Sequence, residues 1–255
     1  MGKKRVQEAA VYQFAQSYED FSASSEGPQQ RKHFHIKDLK SIQALTDNQK
    51  TAFELLDNED KSVVSLLGCP GVGKTFLAIQ RALKLLLSPG NGYEKIIIIR
   101  SAVATRDIGF LPGDMAEKMA VFEAPYVGIF DELFPWKNSY ENLKKTGKVE
   151  FKPTSFLRGC SFANAIVIVD ECQDLTFHEL DTIITRISEN ARIIFSGDTK
   201  QNDLLYKKND QSGLVEFLTV LDGLGEFGKV EFGPDDIVRS GLVKSYIKRK
   251  WELGK

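Results

Sequence analysis

The sequence predicts an α/β fold, a mostly parallel sheet flanked by helices on both faces. Three observations carry this. Four short runs are apolar almost throughout: Val63–Leu67, Ile96–Ile99, Ala165–Val169 and the Ile-Ile-Phe of Arg192–Phe195. Strands buried on both faces read this way, whereas half-exposed strands alternate. Stretches of helical character separate these runs, the alternation that βα units need. Finally, the first run ends in Gly68-Cys-Pro-Gly-Val-Gly-Lys-Thr75, a composition that suits neither helix nor strand and marks a loop.

Each element follows in order. Residues 1–44 form a polar N-terminal extension, with Ser22-Ala-Ser-Ser-Glu-Gly-Pro28 as a joint; it packs either on the body or on a neighbour. Residues 45–255 form the main domain. Thr46–Leu56 reads as a short capped helix. Val63–Leu67 is a strand, and Lys74–Leu87 is a helix stopped by Ser88-Pro-Gly90. Ile96–Ile99 is a second strand, and loop and helix follow to Trp136. Val149–Lys152 and Ala165–Val169 are strands, Phe177–Ile187 a helix and Arg192–Phe195 a strand. Leu214–Leu221 is a helix, Lys229–Phe232 a strand and Asp235–Leu253 a final helix.

Bulk properties exclude several classes. Lys and Arg number 34 against 35 acids, so a nucleic-acid contact must come from a local patch. Three cysteines, Cys69, Cys160 and Cys172, are too few and too scattered for a disulfide framework or a zinc site. No apolar run is long enough to span a bilayer, and no signal core follows the basic Met1-Gly-Lys-Lys-Arg5, so no membrane partner is expected. The expected location is the cytoplasm.

The loop fits G-x-x-x-x-G-K-[ST] at Gly68, Gly73, Lys74 and Thr75, between a buried strand and a helix. Its glycines let backbone N–H groups turn inward on phosphates, and the helix N-terminus adds partial positive charge. The residues assigned to nucleotide binding are Gly68, Cys69, Pro70, Gly71, Val72, Gly73, Lys74, Thr75 and Phe76. Lys74 is to reach the β- and γ-phosphates of ATP, and Thr75 to ligate Mg²⁺. The alternative is a Gly/Pro turn that matches by chance. Cys69 reads as a small filler.

Ala165–Val169 delivers Asp170 and Glu171 at the carboxyl end of a strand, where an open α/β sheet binds ligands. Asp170 is assigned to Mg²⁺, and Glu171 to the water that attacks the γ-phosphate. A strand that merely ends in acids is the bland reading. A third strand runs into Ser196-Gly-Asp198-Thr-Lys-Gln201, where Gln201 is a candidate γ-phosphate sensor and Asp198 a brace; an ordinary strand-to-loop turn is the alternative. Thr46-x-x-Gln49 fits a capping box, yet Gln49 equally suits pairing with adenine N6 and N7. Arg239 is a candidate arginine finger, in competition with Arg100, Arg106, Arg158 and Arg186. The basic, aromatic Lys244–Trp251 reads either as a nucleic-acid contact or as a solvated helix face.

Together these motifs resemble the PhoH-like family of P-loop ATPases, relatives of the superfamily 1 helicase core, over roughly residues 45–250. The most specific elements are Gly109-Phe-Leu-Pro-Gly-Asp114, Ala116-Glu-Lys118, Pro125-Tyr126, Leu157-Arg-Gly159, Asp170-Glu-Cys-Gln173, Ser196-Gly-Asp198 with Gln201, and Asp236–Val243. The resemblance implies a RecA/helicase-like core, adenine recognition by Gln49, and Arg239 as the finger in cis or from a neighbour. It also implies a homo-oligomer, in the form of a ring, with single-stranded nucleic acid, RNA before DNA, as a partner. Ser101, Thr199, Lys200 and Ser240 depart from the family's usual residues, and none of them is a catalytic position. The short form, without room for an appended nuclease domain, suits a bacterial or phage-encoded member. The resulting expectation is a Mg-dependent ATPase acting on single strands. The alternatives are an ATP-dependent switch that assembles with a protein partner, and a small-molecule kinase, against which the Asp-Glu pair speaks.

Overall fold

The computed structural model describes residues 33–101, 115–157, 159–199 and 213–253. Its six strands form one sheet in which every pairing is parallel. They are β1 (Val63–Gly68), β2 (Lys95–Arg100), β3 (Val149–Pro153), β4 (Ala165–Asp170), β5 (Arg192–Gly197) and β6 (Phe227–Phe232). The order across the sheet is β3-β2-β4-β5-β1-β6, so β5 separates the strand before the glycine loop from the strand that carries the acids.

Successive side chains of a strand point to opposite faces, and here both sets are apolar and buried. Val64, Leu66, Ile96, Ile98, Ile166, Ile168 and Ile194 face one core. It is closed by α1 (Asp47–Asp57), α2 (Lys74–Leu87), α3 (Met115–Leu133) and α4 (Ser139–Lys145). Val63, Leu67, Ile97, Ile99, Val167, Val169, Ile193 and Phe195 face the other, under α5 (Phe177–Ile184) and α6 (Leu214–Leu221). The predicted α/β architecture, helices on both faces, is what the chain adopts. α7 (Gly241–Glu252) lies on the first core through the partly buried Ile247 and Trp251. Among the described residues no helix is long and apolar enough to cross a membrane.

Three segments differ from expectation. The final helix starts at Gly241, not Asp235. Pro234–Asp236 is instead a 3-10 turn, in which buried Asp236 takes the Gly233 N–H (2.8 Å) and the Asn48 side-chain amide (2.8 Å). Ile237 then drops into the core and the Val238 N–H reaches the Gly71 carbonyl (3.1 Å). α5 stops at Ile184, because Phe162 pairs with Ile187 and its N–H takes the Arg186 carbonyl (2.8 Å). The sequence reading has no counterpart of α4, a helix of seven residues entered through Asn138 in left-handed backbone.

The described end of the N-terminal extension lies on the body. Phe34 meets Phe134 edge-on at 4.9 Å, and the Lys40 N–H donates to the Leu133 carbonyl. Parallel strands all end on one edge, so Gly68, Arg100, Asp170 and Gly197 gather there. Gly68 has φ 131°, and a Cβ on it would sit 2.1 Å from the Phe232 carbonyl oxygen on β6. Gly68→Ala is therefore expected to destabilise the domain by roughly 1–3 kcal/mol, measured as a fall in the denaturation midpoint with an unchanged slope.

Candidate nucleotide site

The glycine loop runs from β1 into α2. Gly73, in left-handed backbone at φ 91°, is the cap of α2, and the Leu77 N–H bonds back to its carbonyl. The N–H groups of Lys74, Thr75 and Phe76 therefore stand in the first turn without intrahelical acceptors, at the positive end of the helix. The Phe76 ring packs on the main core, so only its backbone belongs to the loop. Cys69 is buried and its thiol donates to the Gly233 carbonyl (3.2 Å). Burial pushes that thiol up, against the pull of Lys74. Pro70 and Gly71 are half-buried, and Val72 is buried.

The Lys74 ammonium donates to the carbonyls of Gly68 (2.6 Å) and Cys69 (3.0 Å). Burial draws it below the usual lysine range, while Asp198, Glu171 and Asp170 pull it back up. The loop thus holds a partly desolvated cation opposite three carboxylates from β4 and β5.

The acids meet the loop directly. The Thr75 hydroxyl donates to Asp170 Oδ1 (2.8 Å), and the Tyr126 hydroxyl of α3 donates to Asp170 Oδ2 (3.0 Å). Burial raises the Asp170 carboxyl, and Glu171 raises it further; Thr75, Arg100 and Tyr126 oppose the rise. Glu171 follows with φ 51° and ψ 45°, left-handed backbone on a residue other than glycine. Such conformations cost on the order of 1–3 kcal/mol and persist where the surroundings fix them. Here the Glu171 carbonyl accepts from the Asp174 N–H (3.0 Å), and its carboxylate accepts from Gln173 Nε2 (2.7 Å). The other end of the Gln173 amide accepts from the Asp198 N–H (3.0 Å). Gly197 makes room for this bridge: a Cβ there would lie 2.7 Å from Gln173 Oε1 and 2.5 Å from the Cys172 sulfur.

Of the other residues read from sequence, Gln49 lies under the loop. Its Nε2 donates to the Val72 carbonyl (3.0 Å) and its Oε1 accepts from the Leu45 N–H (2.8 Å). Thr46 does cap α1, accepting from the Gln49 N–H (3.3 Å), but the return bond goes to Leu45 instead of closing the box. Arg239 is exposed, with its stem against Gly71: a Cβ on that glycine would touch Arg239 Cγ at 3.0 Å. Arg100 ends β2 in register with Asp170, and Arg186 donates to the Cys160 carbonyl (3.1 Å). Gln201, Arg106 and Arg158 lie outside the described residues. Sequence reasoning gave no role to Tyr126 or Gln173. Both were visible only as parts of motifs, since the spacing says nothing of which atoms they reach.

A glycine loop between a buried strand and a helix, facing an acid pair two strands away in a parallel sheet, defines a P-loop NTPase fold. Within that class the chain belongs to the PhoH-like family, whose model, described as PhoH-like protein, matches residues 41–250. It is 35% identical over 202 residues to Protein PhoH of Escherichia coli K12, covering 78% of this chain and 56% of that one. It is 33% identical over 216 residues to Protein PhoH2 of Bacillus subtilis 168, covering 83% and 48%. The chain thus spans about half the length of these relatives. Among solved structures it is similar to the Pyrococcus furiosus Hef helicase domain, with a TM-score of 0.43 and 12% identity over 73% of this chain and 38% of that one. It is also similar to the Pif1 helicase from Bacteroides in complex with ADP-AlF3 and ssDNA, with a TM-score of 0.35 and 19% identity over 75% and 42%.

Proposed function

We propose that this chain binds ATP with Mg²⁺, hydrolyses it, and couples the cycle to single-stranded nucleic acid, RNA before DNA, as a homo-oligomer in the cytoplasm. The observation that carries the nucleotide reading is the 2.8 Å contact between Thr75 and Asp170, which joins the phosphate loop to the acidic strand. A hydroxyl and a carboxylate side by side are the hard oxygen donors that suit Mg²⁺, an ion held by few protein ligands together with substrate phosphates. When bound there, Mg²⁺ neutralises charge on the phosphate oxygens.

The residues divide the work. The N–H groups of the loop and the start of α2 hold the phosphates. Lys74 turns its ammonium from two loop carbonyls to the β- and γ-oxygens. Glu171 takes a proton from the attacking water, and Gln173 holds Glu171 in place. Gln49 braces the loop at Val72; the adenine-reading role that the family resemblance implies needs its amide to leave Val72 and Leu45. Arg239, packed on Gly71, is the finger of this or a neighbouring subunit, and Gln201 senses the γ-phosphate.

Support for the nucleic-acid half comes from the family and from α7, where Lys244, Lys248, Arg249 and Lys250 surround an exposed Tyr246. A second reading, a slow ATP-dependent switch acting on a protein partner, is favoured by one observation. Glu171 is engaged by Gln173 of its own chain, an arrangement that a partner must loosen before water is activated.

ATP turnover with and without single-stranded RNA and DNA, with Lys74→Ala as blank, tests both. Stimulation of several-fold by a single strand supports the first reading; low turnover that no strand changes supports the second. On the first reading Gln173→Ala is expected to lower turnover on the order of 10² at unchanged nucleotide affinity, since small misplacements of a catalytic group carry that penalty; a rise in turnover would favour the second. Wild-type turnover in this variant would remove Gln173 from the mechanism.

A further inference from the structure

Tyr126 is wholly buried in the larger core, its ring tilted against Phe151 with centroids 6.0 Å apart. Phenylalanine would satisfy that packing. The hydroxyl is the part that needs a reason, because a buried O–H without a partner is costly. It donates to Asp170 Oδ2, and the guanidinium of Arg100 stands beside it. Arg100 and Asp170 are register partners at the carboxyl ends of β2 and β4.

The two oxygens of Asp170 therefore have different partners. Oδ1 faces Thr75, whose hydroxyl belongs to the phosphate loop and is free to rotate. Oδ2 faces Tyr126, fixed by its ring in the core and by Arg100. We propose that Tyr126 is a positioning residue for the cation: it anchors Asp170 Oδ2 so that Oδ1 is presented to Mg²⁺ when Thr75 turns its hydroxyl lone pair to the same ion. The role rests on the nucleotide reading above and adds to it a residue from α3. Outer-shell partners of metal-binding carboxylates act in this way: they orient the ligand.

The test is equilibrium binding of a fluorescent N-methylanthraniloyl ADP to the full chain, in EDTA and across a Mg²⁺ titration. Wild type should bind more tightly as Mg²⁺ rises. Tyr126→Phe should need about tenfold more Mg²⁺ for the half-maximal gain, the lower end of what loss of such a partner costs, while its affinity in EDTA stays within about twofold of wild type on the same argument. In an Asp170→Asn background the Tyr126→Phe change should have no further effect, as expected for one coupled pair. An unchanged Mg²⁺ midpoint overturns the role. So does an equal loss of affinity with and without Mg²⁺, which is the mark of a packing defect. If Tyr126→Phe does not melt cooperatively, Arg100→Met leaves the ring in place and loosens its hydroxyl. An unmoved midpoint there overturns the role as well. Wild type that binds no nucleotide in either condition would instead sink the nucleotide reading itself, and wild-type binding indifferent to Mg²⁺ would remove the ion from Thr75 and Asp170 and overturn the role with it.

Discussion

Lys74→Ala is expected to abolish ATP turnover, with a loss of at least about 10² in rate, the size seen when one charged or hydrogen-bonding group is removed from a developing negative charge. The variant has two consequences that must be separated. It removes the cation that the loop points at the phosphates. It also leaves the Gly68 and Cys69 carbonyls without the donor they have at 2.6 and 3.0 Å. Orphaned carbonyls cost about 1–3 kcal/mol each at most, against a typical domain stability of about 5–15 kcal/mol. The protein should therefore stay folded, with a lower melting temperature, and the catalytic loss should far exceed the stability loss. Lys74→Met keeps the methylene stem and should lose turnover equally. Circular dichroism fixes the fold, and phosphate release fixes the rate. Turnover near wild type in either variant would mean that the loop is a turn with a chance motif.

The strands and the phosphate loop were legible because their signals are local. Ile96–Ile99 and Ala165–Val169 are short, rich in β-branched residues and apolar without break, the pattern of a doubly covered strand. α2 begins at Lys74 and ends at Leu87, where the glycine loop and Ser88-Pro-Gly90 said it would. The misread segments are those where a distant residue decides. Asp235 and Asp236 read as the acidic first turn of the final helix, but Asp236 is taken by Asn48 and Gly233, nearly two hundred residues away in the first case. Thr185–Ile187 continues the helical pattern of α5 but serves Phe162 instead. Nothing local marks either event.

The site shows the same division. Thr75 and Asp170 were readable as separate motif members, and their 2.8 Å contact is what three-dimensional placement adds. Gln49 illustrates a choice the sequence left open between cap and base reader. Its N–H is used by the cap, and both ends of its side-chain amide are taken, by the Val72 carbonyl and the Leu45 N–H, so pairing with a base would require those two bonds to be given up. Tyr126 and Gln173 could not be assigned from spacing, since one reaches Asp170 across 44 residues and the other bridges two strand ends through an amide.

Glu171→Gln is expected to bind nucleotide as wild type does and to lose hydrolysis by about 10²–10⁴, the range for removal of a general base. The geometry favours a clean result. Glutamine is nearly isosteric, and its side-chain oxygen can still accept from Gln173 Nε2, so the bridge to Asp198 survives. The backbone at φ 51° is no harder for glutamine than for glutamate. Removing the charge also removes one of the carboxylates that raise Lys74, but Asp198, the strongest of them, remains. Affinity should therefore change little while proton transfer stops, because an amide at neutral pH cannot take the proton. Equilibrium binding of labelled nucleotide and single-turnover hydrolysis separate the two effects. A variant that hydrolyses at the wild-type rate removes Glu171 as the base. A variant that fails to bind would show instead that this strained residue holds the loop together, and that its left-handed backbone serves binding and not the activation of water.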